Sequence, residues 1–189
     1  MTQITSQIQH TPHLLKSYFK SLRMPTMLRE STTVARQIGE QHGSYELYLQ
    51  QLGELEVQHR KAGAIARRLK QAKFPVIKEI SDFDFIAIPK INKKRLIDLA
   101  QCGFIDGRSN IIFNGAPGTG KTHLAIALGR EACRRGYKVR FFTACGLANL
   151  YREAREERHV LKLEKKIQSY DLIILDELGY IPLDRHGAE

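Results

Sequence analysis

The chain has 189 residues, 42% hydrophobic and 26% charged, the balance of a globular protein with a buried core rather than of a disordered one. No apolar run approaches the roughly 18 residues that span a bilayer. The start, Met1-Thr2-Gln3-Ile4-Thr5, lacks the basic and apolar parts of a signal peptide, so no membrane partner is expected and the cytoplasm is the expected compartment. The net charge is +10: residues 1–110 hold 17 basic and 10 acidic side chains, residues 111–189 hold 13 and 10. A basic excess concentrated in the N-terminal part suits a second polyanion such as nucleic acid, and charge alone suits a solvated face equally well.

In chain order, residues 1–13 are polar and expected to fray. Leu14, Leu15, Tyr18, Phe19 and Leu22 recur at helical spacing and predict a first helix, ended by Pro25. Ser31-Thr32-Thr33 offers N-caps for a second helix through Val34 and Ile38. After the Gly43-Ser44 break, Tyr45, Tyr48, Leu49, Leu52 and Leu55 predict a third helix. It runs past Gly53 into a basic segment carrying Arg60, Lys61, Arg67, Arg68, Lys70 and Lys73, whose positions fall on more than one helical face. These six are the candidate DNA phosphate contacts, with a solvated face as the alternative.

Phe74-Pro75 stops this helix, which sets residues 1–75 as a helical, basic N-terminal domain. Residues 76–109 follow as a linker and leading helix. Phe83, Phe85 and Ile86 are expected to pack in a core, ahead of an adenine contact by either phenylalanine, and Asn92–Gln101 reads as a helix. Cys102, Cys133 and Cys145 form no C-x-x-C pair, so they suit a reducing compartment and ordinary buried or half-buried thiols.

Residues 110–189 carry the chemistry. An apolar strand at 110–114 leads into Gly115-Ala116-Pro117-Gly118-Thr119-Gly120-Lys121-Thr122, the pattern G-x-x-x-x-G-K-T between a strand and a helix. The glycines admit the turns that bring backbone N–H groups against phosphate oxygens, and the helix N-terminus adds partial positive charge. Lys121 is placed for the β- and γ-phosphates of a nucleotide and the Thr122 hydroxyl for Mg²⁺. His123 is expected to pack or face solvent and is given no role. Gly136 is the expected C-cap of the helix, Tyr137–Thr143 a second strand, and residues 147–167 one charged helical stretch.

About 55 residues after the loop, Leu172-Ile173-Ile174-Leu175-Asp176-Glu177 is an apolar strand that ends in two carboxylates. Ligands bind at that end of strands in open α/β sheets. Asp176 is the candidate for the Mg²⁺ shell and Glu177 for the general base that polarises the attacking water. The fold class expected is α/β: a P-loop NTPase parallel sheet behind a small helical N-terminal domain.

Both motifs, with Leu22-Arg23-Met24-Pro25, Glu54-Leu55-Glu56, Arg67-Arg68-Leu69-Lys70-Gln71-Ala72-Lys73-Phe74-Pro75, Phe83-Asp84-Phe85 and Leu175-Asp176-Glu177-Leu178-Gly179-Tyr180, make the chain resemble the IstB family of transposition helper ATPases. These are relatives of the DnaC helicase loaders within the AAA+ class. The resemblance covers residue 14 to the end, and the Lys-Phe-Pro and Asp-Glu-Leu-Gly-Tyr segments are its most specific parts. It implies an ATP-dependent homo-oligomer that binds duplex DNA and serves a partner transposase.

The resemblance also implies fifty or more residues after Glu189, with the sensor-1 polar residue, the arginine finger and two further strands. The expected chain is therefore a truncated product or fragment, whose AAA+-like sheet is incomplete and whose turnover is not assured by its motifs. One missing strand would lie between the 110–114 strand and the Asp-Glu strand, leaving buried backbone groups at a cost of about 1–3 kcal/mol each. A helicase loader and an inactive remnant stand as the alternative readings.

Overall fold

The computed structural model describes residues 12–88 and 91–178. Most of the polar start and the Gly179-Tyr180 pair lie outside these residues. The chain divides into two compact units, Met1–Gly63 and Ala64–Glu189. The sequence reading drew its boundary at 75/76. Residues 64–75 belong with the second unit because Leu69, Ala72 and Phe74 pack in its core.

In the first unit α1 spans Pro12–Ser21, α2 spans Pro25–Glu40, and α3 (Tyr45–Ala72) begins after a tight turn. Val34, Ile38 and Leu52 are its buried core, with Met27 and Tyr48 packed against them. Ser44 caps α3, its Oγ accepting from the Leu47 amide at 3.2 Å.

Pro25 starts α2 instead of merely ending α1, and Ser31, Thr32 and Thr33 lie inside the helix. Proline at the first helical position has no N–H to satisfy and the right φ already set. The orphan amides that follow find a partner from far along the chain. The Glu56 carboxylate, 4% exposed, accepts from Thr26 N at 2.8 Å and Met27 N at 3.1 Å. Arg60 Nε donates to the same carboxylate at 2.8 Å, and its Nη2 donates to the Arg23 carbonyl.

In the second unit, short helices α4 (Lys93–Leu99) and α5 (Gly103–Asp106) precede α6 (Lys121–Arg135). Asn92 caps α4 by accepting from Arg95 N at 3.0 Å. Strand β1 (Val139–Thr143) leads through α7 (Ala144–Glu156) and α8 (Val160–Gln168) to β2 (Leu172–Asp176). The strands are parallel and in register from Val139↔Leu172 to Thr143↔Asp176. One face buries Val139, Phe141 and Ile174 in a core with Ile126, Ala132 and Cys133 of α6. Cys102 and Cys133 are buried, whereas Cys145 is exposed, contrary to the expectation for all three.

The expected strand at 110–114 forms no ladder among the described residues. Ile111 and Phe113 pack into a second cluster with Phe83, Leu96, Leu124 and Leu128, while Ile112 is 87% exposed. The alternation of a strand is present, and the hydrogen-bonded neighbour is not. A strand exists only by pairing, so pattern without a partner leaves an extended segment. The helical stretch expected at about 147–167 is present as two helices, divided where Arg158 takes a φ of +58°. Ile86, expected in a core, is 92% exposed. Among the described residues no helix is long and apolar enough to cross a membrane.

Replacing Glu56 by Ala removes the acceptor of two amides at the start of α2 and strands Arg60. Denaturant unfolding is expected to show a loss of about 2–3 kcal/mol. An unchanged midpoint and slope would mean that water serves those amides as well.

Candidate phosphate and metal site

The loop 115–120 closes on itself before α6 begins. Gly118 and Gly120 take φ of +77° and +78°, where a Cβ is unfavourable. Lys121 Nζ donates to the carbonyls of Gly115 (2.9 Å) and Ala116 (2.8 Å), and Thr119 Oγ1 donates to the Ala116 carbonyl at 2.8 Å. The carbonyls at the start of the loop are thereby held by its end. The α6 N-terminus has no side-chain cap, so no side chain occupies its first-turn amides. Amides, a helix dipole and a lysine at one place make an anion site.

The second motif meets the first here. Thr122 Oγ1 donates to Asp176 Oδ2 at 2.8 Å, across 54 positions of sequence. The approach of helix to strand is set further along, at Gly129. A Cβ there would lie 2.5 Å from Ile174 Cδ1 and 3.0 Å from Phe74 Cε1. Gly129 leaves room on α6 for the Ile174 methyl and the Phe74 ring, and the first turn of the same helix reaches the strand's C-terminal end. The two oxygens suit Mg²⁺, whose ligands at 2.0–2.1 Å stand about 3 Å apart along an octahedral edge. Thr122 and Asp176 would hold such an ion, with phosphate oxygens and water completing its shell.

Glu177 follows directly. Its side chain is exposed, with no hydrogen bond among the described residues, and its backbone φ is +62°. The chain turns sharply as it leaves β2, and a left-handed non-glycine residue there is a local strain. Thr143, in register with Asp176, is turned away to cap α7 through Gly146 N at 3.1 Å.

The six basic candidates differ from one another. Arg60 is committed to Glu56 and the Arg23 carbonyl. Lys61 is exposed in the first unit. In the second, Arg67, Lys70 and Lys73 are exposed and Arg68 is half-buried. Lys73 leaves α3 with a φ of +55°.

Sequence reasoning missed Glu79. Its carboxylate receives Arg130 Nη2 at 2.6 Å and Nε at 2.9 Å, together with Arg134 Nη2 at 2.7 Å and Nη1 at 2.9 Å. The Arg134 hydrogen bonds, against the opposing effect of desolvation and with help from Arg130, lower its pKa from 4.5 to about 2. No local pattern announces a partner 51 residues away. Phe83 is buried, as expected, and His123 packs beside it.

The family profile described as "IstB-like ATP binding protein" matches residues 17–189. The ATP-binding protein of insertion sequence IS5376 from Geobacillus stearothermophilus is 39% identical over 92% of this chain and 69% of its own length. That of insertion sequence IS21 from Pseudomonas aeruginosa is 32% identical over 93% of this chain and 66% of its own. That of insertion sequence IS232 from Bacillus thuringiensis subsp. berliner is 33% identical over 75% and 56%. The chain thus spans between about half and about two thirds of the length of these relatives.

The geometry yields two expectations. Asp176→Asn should weaken Mg²⁺-dependent nucleotide binding by tenfold or more, roughly the loss of one charged ligand, while leaving metal-free binding nearly unchanged in titration calorimetry. Glu79 has a lowered pKa in the folded state, so its ion pairs stabilise fully above about 4.5 and are lost as pH falls toward about 2. Glu79→Gln should therefore flatten the dependence of Tm on pH across that window, and a parental slope would show that other carboxylates carry it.

Proposed function

The chain belongs to the IstB-like ATP-binding protein family, and we propose that it is the ATP-binding helper of an insertion sequence, a DNA-dependent ATPase that assists a transposase at its target DNA. The observation that carries the ATPase part is the Thr122–Asp176 hydrogen bond, which unites the two motifs at one point. The transposition part is supported by relatives named for insertion sequences and for ATP binding.

The division of labour follows from the side chains. The loop amides and Lys121 receive the β- and γ-phosphates, a charge-assisted contact at a helix N-terminus. Thr122 and Asp176 would hold Mg²⁺, which would neutralise charge on the phosphates. Glu177, one residue beyond Asp176 on a strained turn, accepts the proton of the water that attacks the γ-phosphorus as the bond to the β–γ bridging oxygen breaks and ADP leaves. Phosphoryl transfer needs positioning and charge above all, and both are concentrated at the ends of α6 and β2.

The basic stretch supports the DNA part. Lys61, Arg67, Lys70 and Lys73 are exposed and fit phosphate contacts, with Arg68 beside them. Arg60, bound to Glu56, acts first as a strut of the helical unit. Duplex DNA, the partner transposase and assembly into a homo-oligomer belong to this proposal for the whole protein.

The test is Mg²⁺-dependent ATP hydrolysis with and without duplex DNA, with Lys121→Ala as the blank. Turnover above the blank and raised by DNA is expected. Glu177→Gln should keep ATP bound while slowing hydrolysis by about 10²–10⁴-fold, the range for a positioned base. Parental turnover in that variant would remove Glu177 from the mechanism, and turnover indifferent to DNA would remove the DNA-dependent part.

A further inference from the structure

One group of side chains belongs to neither motif and yet touches the phosphate loop. Phe83 is 7% exposed and lies against Gly120: a Cβ on Gly120 would stand 2.6 Å from Phe83 Cε2 and 3.2 Å from Cζ. Gly120 is therefore glycine for two independent reasons, its φ of +78° and the ring above it. The same ring meets the His123 imidazole edge-on, with centroids 5.3 Å apart and planes at 87°. His123 Nε2 lies 2.8 Å from the Glu79 carbonyl. A carbonyl only accepts, so Nε2 carries a proton and donates it. The carboxylate of Glu79 is in turn fixed to α6 by Arg130 and Arg134.

Residues 79–83 thus touch α6 at its beginning through Phe83 and His123, and further along through the two arginines. Gly120 and His123 flank Lys121 and Thr122, the two residues with the most demanding geometry at the site. We propose that Phe83 and His123, anchored through Glu79, are positioning residues that hold the first turn of α6 and Gly120 in the conformation that receives phosphates. They act on the loop and not on the base: the Phe83 ring is buried against Gly120, His123 and Phe85. This assignment rests on the ATP-binding reading of the loop.

The experiment is competition of ATP, and separately of inorganic tripolyphosphate, against a fluorescent ATP analogue with Mg²⁺. It uses the 189-residue chain and its His123→Leu, His123→Gln and Phe83→Leu variants, with Lys121→Ala as the blank and thermal melting to verify folding. His123→Leu and Phe83→Leu should weaken ATP and tripolyphosphate alike, by about five- to tenfold, the effect of one lost hydrogen bond or of a slackened loop. His123→Gln, whose amide nitrogen can donate to the Glu79 carbonyl, should stay within about twofold of the parent, a rescue that loss of packing alone would not give.

Folded variants that bind both ligands as the parent does would overturn the proposal. So would a loss confined to ATP, which would put these side chains on the nucleoside. If Phe83→Leu does not fold, the His123 pair decides. A parent that binds no better than Lys121→Ala would overturn the ATP reading itself and this assignment with it, a result distinct from the other two.

Discussion

The close approach of α6 to β2 is the constraint on which the rest of the site depends. Gly129 leaves space on the helix that the Ile174 methyl and the Phe74 ring occupy. With the layers this close, the first turn of the helix reaches the end of the strand, and a hydroxyl and a carboxylate far apart in sequence come within 2.8 Å. Neither oxygen is remarkable in type. Their separation is what suits a small, hard cation, and that separation is a packing result.

The same packing explains why the loop can be rich in glycine without being shapeless. Three hydrogen bonds, two from Lys121 and one from Thr119, hold the carbonyls at its start. Phe83 covers Gly120 from outside. Glycine gives the loop access to left-handed conformations, and its neighbours remove the freedom that glycine would otherwise keep. The cost of that order is carried by contacts outside both motifs, and these reach back to the Glu79 ion pairs.

What was legible in the sequence is what local chemistry dictates. The glycine-rich turn before α6, the Leu172–Asp176 strand, the Gly136 cap and the long helix through Gly53 follow from spacing and residue type, and the structure has them. What was not legible is pairing at a distance. The start of α2 is governed by Glu56, thirty positions on, so the local Ser-Thr-Thr cap signal loses to it. Glu79 finds its arginines 51 and 55 positions away. Residues 110–114 have the alternation of a strand, but the neighbour that would make them one is not a property of those five residues.

That segment gives the loop two unlike shores. On the helix side, the loop runs into a fifteen-residue α-helix fastened to the sheet and to Glu79. On the other, Ile111 and Phe113 are gripped by their side chains while the backbone between them joins no ladder among the described residues. A grip by side chains fixes where this segment lies and leaves its backbone groups available for pairing. An element that pairs there and thereby favours phosphate binding is favoured by bound phosphate to the same degree, because linkage between two binding events is reciprocal.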